Sequence, residues 1–76
     1  MAFMNEKPVD DPAEIGRVLR AKRKAQKLTL RDVAGHTGLS VRFISEVERG
    51  KPSAEIGKVL YLLSAVGVDV YVRGRD

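Results

Sequence analysis

One histidine, His36, and no cysteine make up the whole supply of imidazole and thiol in this sequence. That leaves no Cys/His nucleophile and no thiolate metal cluster. The carboxylates do not fill the gap. Asp10 and Asp11 sit at a helix cap, while Glu46 and Glu48 fall on opposite sides of one helix, so neither pair is arranged for acid–base work. Gly50-Lys51-Pro52-Ser53 echoes a phosphate-binding loop, but Ser45 stands where that motif needs its first glycine and no strand precedes it. Catalysis and a bound cofactor or metal are therefore not expected. His36 reads as a surface residue, and Tyr61 and Tyr71 read as packing residues.

The charges that remain are placed in a telling way. Arg17, Arg20, Lys22, Arg23, Lys24, Lys27 and Arg31 form one block without an acid, half of the 14 basic residues, in a chain of net charge +4. Such a block suits an anionic partner or a solvated helix face. Two charges lie where apolar residues belong. Glu48 follows Ile44 by four on the apolar side of its helix, and Arg23 follows Ile15 and Leu19 at the same spacing. A charge facing a core is costly unless paired. Arg23 and Glu48 are therefore expected to pair with each other.

Helical periodicity and caps supply the elements that carry these residues. Asp11-Pro12-Ala13-Glu14 opens a first helix with Ile15, Val18 and Leu19 on its apolar face, ending near Gln26 or Lys27. Thr29, with Asp32 three residues on, caps a second helix that stops at Gly38 and buries Leu30, Val33 and Ala34. Ser40 caps a third, closed by Gly50. Ser53 caps a fourth, Ala54 to Val66, followed by Gly67. This last helix is too apolar for one small core, because Leu62 and Val66 widen a face already formed by Ile56, Val59, Leu60 and Leu63. Val68, Val70 and Val72 then alternate with polar positions as in a strand. No other segment alternates, so the strand is expected to pair with its copy in a second chain across a two-fold axis; a disordered tail is the alternative. With 76 residues and 43% hydrophobic content, the chain is one small globular domain. Residues 1–10 read as a flexible arm, 11–67 as the helical domain and 68–76 as a dimerisation strand and tail. No apolar run suggests a signal peptide or a membrane span, so the expected location is cytoplasmic.

The run LTLRDVAGHTGLSVRFISEVERG resembles the helix-turn-helix of the Cro/phage-repressor (XRE) family, with the likeness covering about residues 13–67. Ala34 falls at the close helix contact, Gly38 in the turn and Ile44 in the core. Glu48-Arg49-Gly50 matches the closing E-x-G, and Arg23 the arginine partner of that Glu. The resemblance implies an all-α, four-helix, lambda-repressor-like DNA-binding domain. Leu30 departs from it, since the family usually places a phosphate-bonding Gln there, and Gly35 is an unexplained helix breaker. The four-helix layout, apolar last helix and terminal strand look most like the HipB-type antitoxins. That likeness implies a homodimer, a double-stranded operator with an inverted repeat, and a HipA-like serine/threonine kinase toxin as partner.

Within that frame the third helix lies in the major groove. Its outward residues Ser40, Val41, Arg42, Ser45 and Glu46 are the expected base contacts, with Arg42 suited to guanine, Val41 to a thymine methyl and Glu46 to a cytosine amine. Thr29, Arg31, Arg49 and Lys51 are the expected phosphate contacts. Lys22, Lys24 and Lys27 add field rather than contacts. The dimer interface is expected at Leu62, Val66, Val68, Val70, Tyr71 and Val72. Two other readings stay open: a stand-alone phage-type or restriction-system repressor, and a helical interaction module that has lost DNA binding, suggested by Leu30 and Val41.

Overall fold

A computed structural model describes residues 7–76, in which four helices follow one another and no strand occurs among the described residues. They are α1, Pro12–Ala25; α2, Leu30–Thr37; α3, Val41–Glu48; and α4, Ile56–Ala65. Residues 1–6 of the expected arm lie outside the described residues, and residues 7–10 are exposed and outside any helix.

Three helices start at the hydroxyl and carboxylate caps. Asp11 accepts from the Ala13 N–H at 2.9 Å, and Ser40 Oγ accepts from the Phe43 N–H at 3.0 Å. Thr29 and Asp32 form a reciprocal box, at 3.0 Å from the Asp32 N–H to Thr29 Oγ1 and 2.8 Å from the Thr29 N–H to Asp32 Oδ2. The Thr29 N–H, helped by its hydroxyl, holds the Asp32 carboxyl below the usual carboxylate range. α4 begins later than expected, with Glu55 at the cap position and no side-chain cap bond. Pro52 is the reason: Lys51 to Ala54 forms a turn, with the Ala54 N–H donating to the Lys51 carbonyl at 3.4 Å and proline at its second position. Ser53 is spent in that turn, and Ala54 packs against the core.

Three helices end in the same closure. The sixth N–H reaches back to the first carbonyl in Leu28 to Arg23 (3.1 Å), Lys51 to Glu46 (3.0 Å) and Val68 to Leu63 (2.9 Å). This closure needs a left-handed residue. Gly50 and Gly67 supply it at φ 84°, whereas α1 uses Lys27 at φ 58° despite its side chain.

α1 and α2 both pack on α3. The core is Leu19, Val33, Ile44, Val47, Val59, Leu62, Leu63 and Val66, with Leu28, Leu30, Ala34, Phe43 and Val68 among those partly buried against it. Two expectations are corrected here. Leu62 (0% exposed) and Val66 (3%) belong to the core of the single chain and offer nothing to a partner. The residues left over on α4 are Ile56 (63%) and Leu60 (44%), because the buried stripe runs 59, 62, 63, 66. Val18, expected inside, is likewise about half exposed. Residues 68–76 have no regular secondary structure in the single chain, and Val70, Tyr71 and Val72 are exposed.

Arg23 and Glu48 do pair. Arg23 Nε donates to Glu48 Oε2 at 2.6 Å and Nη2 to Oε1 at 2.9 Å, while Nη1 donates to the Leu28 carbonyl at 2.8 Å. Both side chains are under 10% exposed. The hydrogen bond to Glu48 raises the Arg23 pKa above its ordinary value, against the lowering effect of burial. Two close approaches bring the helices together around this pair. A Cβ on Gly16 would overlap the Val47 and Glu48 carbonyls, and one on Gly50 would lie 2.8 Å from Ala13 Cα. At Gly35 a Cβ would meet nothing within 4 Å, and nothing in the structure explains the glycine.

Glu48→Ala is expected to lower stability by ~3–5 kcal/mol, since it strands a buried guanidinium, and Arg23→Met with Glu48→Leu to restore much of that loss. Urea unfolding of the three proteins reads this directly. A Glu48→Ala protein as stable as the parent would contradict it.

Candidate nucleic-acid interface

α2, the turn at Gly38 and α3 present one exposed set of polar residues. Thr29 and Arg31 open α2 and are exposed; Ser40, Val41 and Arg42 open α3 and are exposed, with 87% of the Arg42 side chain in solvent. One turn further along α3, Ser45 and Glu46 are half-buried, and Arg49 and Lys51 follow the helix as exposed cations. The capping hydroxyls of Thr29 and Ser40 each accept a backbone N–H, and the exposed Ser40 hydroxyl has a proton that can be donated to a phosphate oxygen.

The side chains on α3 are wired to one another. Arg49 Nη1 donates to Ser45 Oγ at 2.8 Å. Glu46 Oε2 lies 3.6 Å from Arg42 Nε, and Glu46 Oε1 lies 3.4 Å from Lys51 Nζ. Residues expected to touch bases and residues expected to touch phosphate are thus joined before any ligand arrives. Thr29 and Arg31 stand apart, with no hydrogen bond or ion pair to this cluster among the described residues. Arg17, Arg20, Lys22 and Lys24 on α1, and Lys27 in the turn after it, are exposed and form no ion pair among the described residues. A free basic helix face of this kind supplies long-range attraction for a polyanion.

A family model described as a helix-turn-helix domain matches residues 14–74. The chain is 44% identical over 64 residues to the HTH-type transcriptional regulator y4mF of Sinorhizobium fredii (strain NBRC 101917 / NGR234), a match covering 84% of each. The chain belongs to the helix-turn-helix family. It is a DNA-binding regulator of the Cro/phage-repressor type. Its fold is also that of a chain in the solved HipA-HipB-O2-O3 complex, with a TM-score of 0.80 at 13% identity, covering 92% of this regulator and 99% of that chain.

Leu30 is half-buried and packed on the core, so the position serves packing and offers no donor to a phosphate. Phe43 also packs on the core, with the Lys58 ammonium 6.0 Å from its ring centroid. Sequence reasoning missed the Glu46 network. The i, i+4 spacing of Arg42 and Glu46 signals one arm of it, but Lys51 joins only through the turn that ends α3.

If Arg42 meets a base and Lys51 a phosphate, the two should respond differently to truncation. Arg42→Ala is expected to relax preference at one base pair of each half-site at a cost of ~1–3 kcal/mol. Lys51→Ala should weaken all sequences alike and reduce the salt dependence by about one. Titrations against single-base variants at several salt concentrations separate the two. Identical changes in specificity would refute this sorting of contacts.

Proposed function

We propose that this regulator is a dimeric, HipB-like antitoxin that binds an inverted-repeat operator, represses its own operon and neutralises a HipA-like serine/threonine kinase. The observation that carries the proposal is the tail after Gly67. Val70 is 50% exposed, Tyr71 78% and Val72 94%, in a segment that pairs with no strand among the described residues. Alternating valines left in solvent suit pairing with the same segment of a second copy. Ile56 and Leu60, exposed on α4, add apolar surface to such a contact in place of Leu62 and Val66.

The likeness to a chain of the HipA-HipB-O2-O3 complex supports the reading, because 92% coverage reaches beyond the helical body, residues 12–65, into the terminal segments. No helix of the described residues is long and apolar enough to cross a membrane, and a cytoplasmic setting fits a chain that reads genomic DNA. In the dimer, two α3 helices would lie about one DNA turn apart, ~34–36 Å, and read two half-sites as one ligand.

Deleting residues 69–76 tests the dimer. Val68 is kept because its N–H closes α4 and its side chain packs on the core. The expected product is a folded monomer whose operator affinity falls by up to 10²–10⁴-fold, the advantage of linked half-sites. Val70→Pro should act in the same direction, since proline cannot donate to a strand ladder. A truncated chain that sediments as a dimer and binds its operator unchanged would overturn the assignment of the tail.

The kinase is tested separately. A HipA-like kinase encoded beside this chain should lose activity when mixed with the full-length protein. Unchanged kinase activity, with operator binding intact, would leave a stand-alone repressor.

A further inference from the structure

A carboxylate on a helix face that meets DNA works against binding, because the phosphates are anions. Glu46 is such a carboxylate, and its setting is unusual for a surface acid. Only 22% of its side chain is exposed, and its two oxygens are divided between Arg42 Nε at 3.6 Å and Lys51 Nζ at 3.4 Å. The backbone repeats the link, since the Lys51 N–H donates to the Glu46 carbonyl at 3.0 Å in the turn that ends α3. Helix stability does not account for the arrangement. Exposed i, i+4 pairs contribute ~0.3–0.5 kcal/mol, and a cation placed before the acid is the weaker orientation.

We propose that Glu46 is a positioning residue for DNA reading: it orients the Arg42 guanidinium toward one guanine and restrains Lys51 from binding phosphates indiscriminately. The inference rests on the base-reading role proposed for Arg42. Arg42 approaches Glu46 through Nε, and its Nη1 and Nη2 make no hydrogen bond among the described residues; these two donors match guanine O6 and N7. Away from that guanine, Glu46 offsets part of the charge of both cations and lowers their attraction for any other duplex. Its effect is on the ratio of specific to non-specific binding, and it reaches the base through Arg42 rather than by touching DNA.

Glu46→Gln removes the charge at constant size. The probe is a duplex selected by the protein from a random pool, together with its single-base variants and an unrelated duplex, titrated across salt concentrations. Thermal unfolding should stay near that of the parent. Affinity for the unrelated duplex should rise and its salt dependence steepen by about one, because Lys51 is released. Discrimination at the guanine read by Arg42 should fall by up to about tenfold, toward that of Arg42→Ala. In the Arg42→Ala background, Glu46→Gln should leave base preference as it was.

A changed preference at a different base pair that persists in the Arg42→Ala background would make Glu46 a direct base contact and overturn the proposal. So would unchanged preference and unchanged salt dependence, the behaviour of an idle surface acid. If Arg42→Ala itself leaves base preference untouched while Lys51→Ala still weakens binding, the reading role of Arg42 fails, and the inference about Glu46 falls with it.

Discussion

Three donors of one guanidinium hold the α1–α3 junction together. Arg23 gives two hydrogen bonds to Glu48 at the end of α3 and a third to the Leu28 carbonyl, in the link between α1 and α2. The same face of α1 carries Gly16, whose missing side chain lets the backbone approach the Val47 and Glu48 carbonyls, and Leu19, fully buried between them. The C-terminal end of α3 is therefore fixed against α1 at two points about two helical turns apart. A buried pair of this sort adds little net stability, since desolvation offsets most of its attraction. What it adds is direction: arginine stays charged at any working pH, and a bidentate geometry tolerates little rotation. The helix so aimed is the one that carries Arg42.

Glu46 and Glu48 show how environment divides the work of two identical side chains. They are two residues apart, on opposite sides of α3. Glu48 has both oxygens on one guanidinium and is closed off from water, so it serves the fold. Glu46 has one oxygen beside each of two exposed cations, an arrangement that a polyanion could compete for and rearrange. Net electrostatics at the surface thus depend on an acid whose backbone is held rigid by the buried pair on the other side of the same helix.

Much of this was legible because caps and glycines are local chemistry. Asp11, Thr29 and Ser40 start helices where short-range bonding alone would place them, and Gly38, Gly50 and Gly67 all take positive φ. The Arg23–Glu48 pair was legible because two misplaced charges at helical spacing each require a partner. The stripe of α4 was not. Ile56, Val59, Leu60, Leu62, Leu63 and Val66 leave no polar side to orient the helix, so only packing selects 59, 62, 63 and 66 for burial. Ser53 misled because a serine before an apolar run signals a cap whether or not a proline turn has already claimed it. Gly16 was overlooked, since a glycine inside a helix carries no mark of which backbone it approaches. The network around Glu46 depends on the chain reversing after α3, and spacing along a helix does not reveal a contact made across its end.

The size of the domain bears on how it reads DNA. Among the described residues, eight buried apolar side chains make a small core, and reciprocal caps and helix-ending closures do much of the remaining work of defining the fold. α3 has 8 residues, and only its outward side is available to a groove, so one protomer presents few base contacts. Discrimination at a few base pairs, at ~1–3 kcal/mol each, is too little to separate one site from a genome of competitors. Two remedies are open to a chain this short. One is to join a second copy and multiply the discrimination, which the exposed valines after Gly67 suit. The other is to lower binding to wrong sites, which the role proposed for Glu46, a carboxylate set against its own cations, would do without adding a contact. The two act on different quantities, operator affinity and background affinity, so their effects on the specificity ratio multiply.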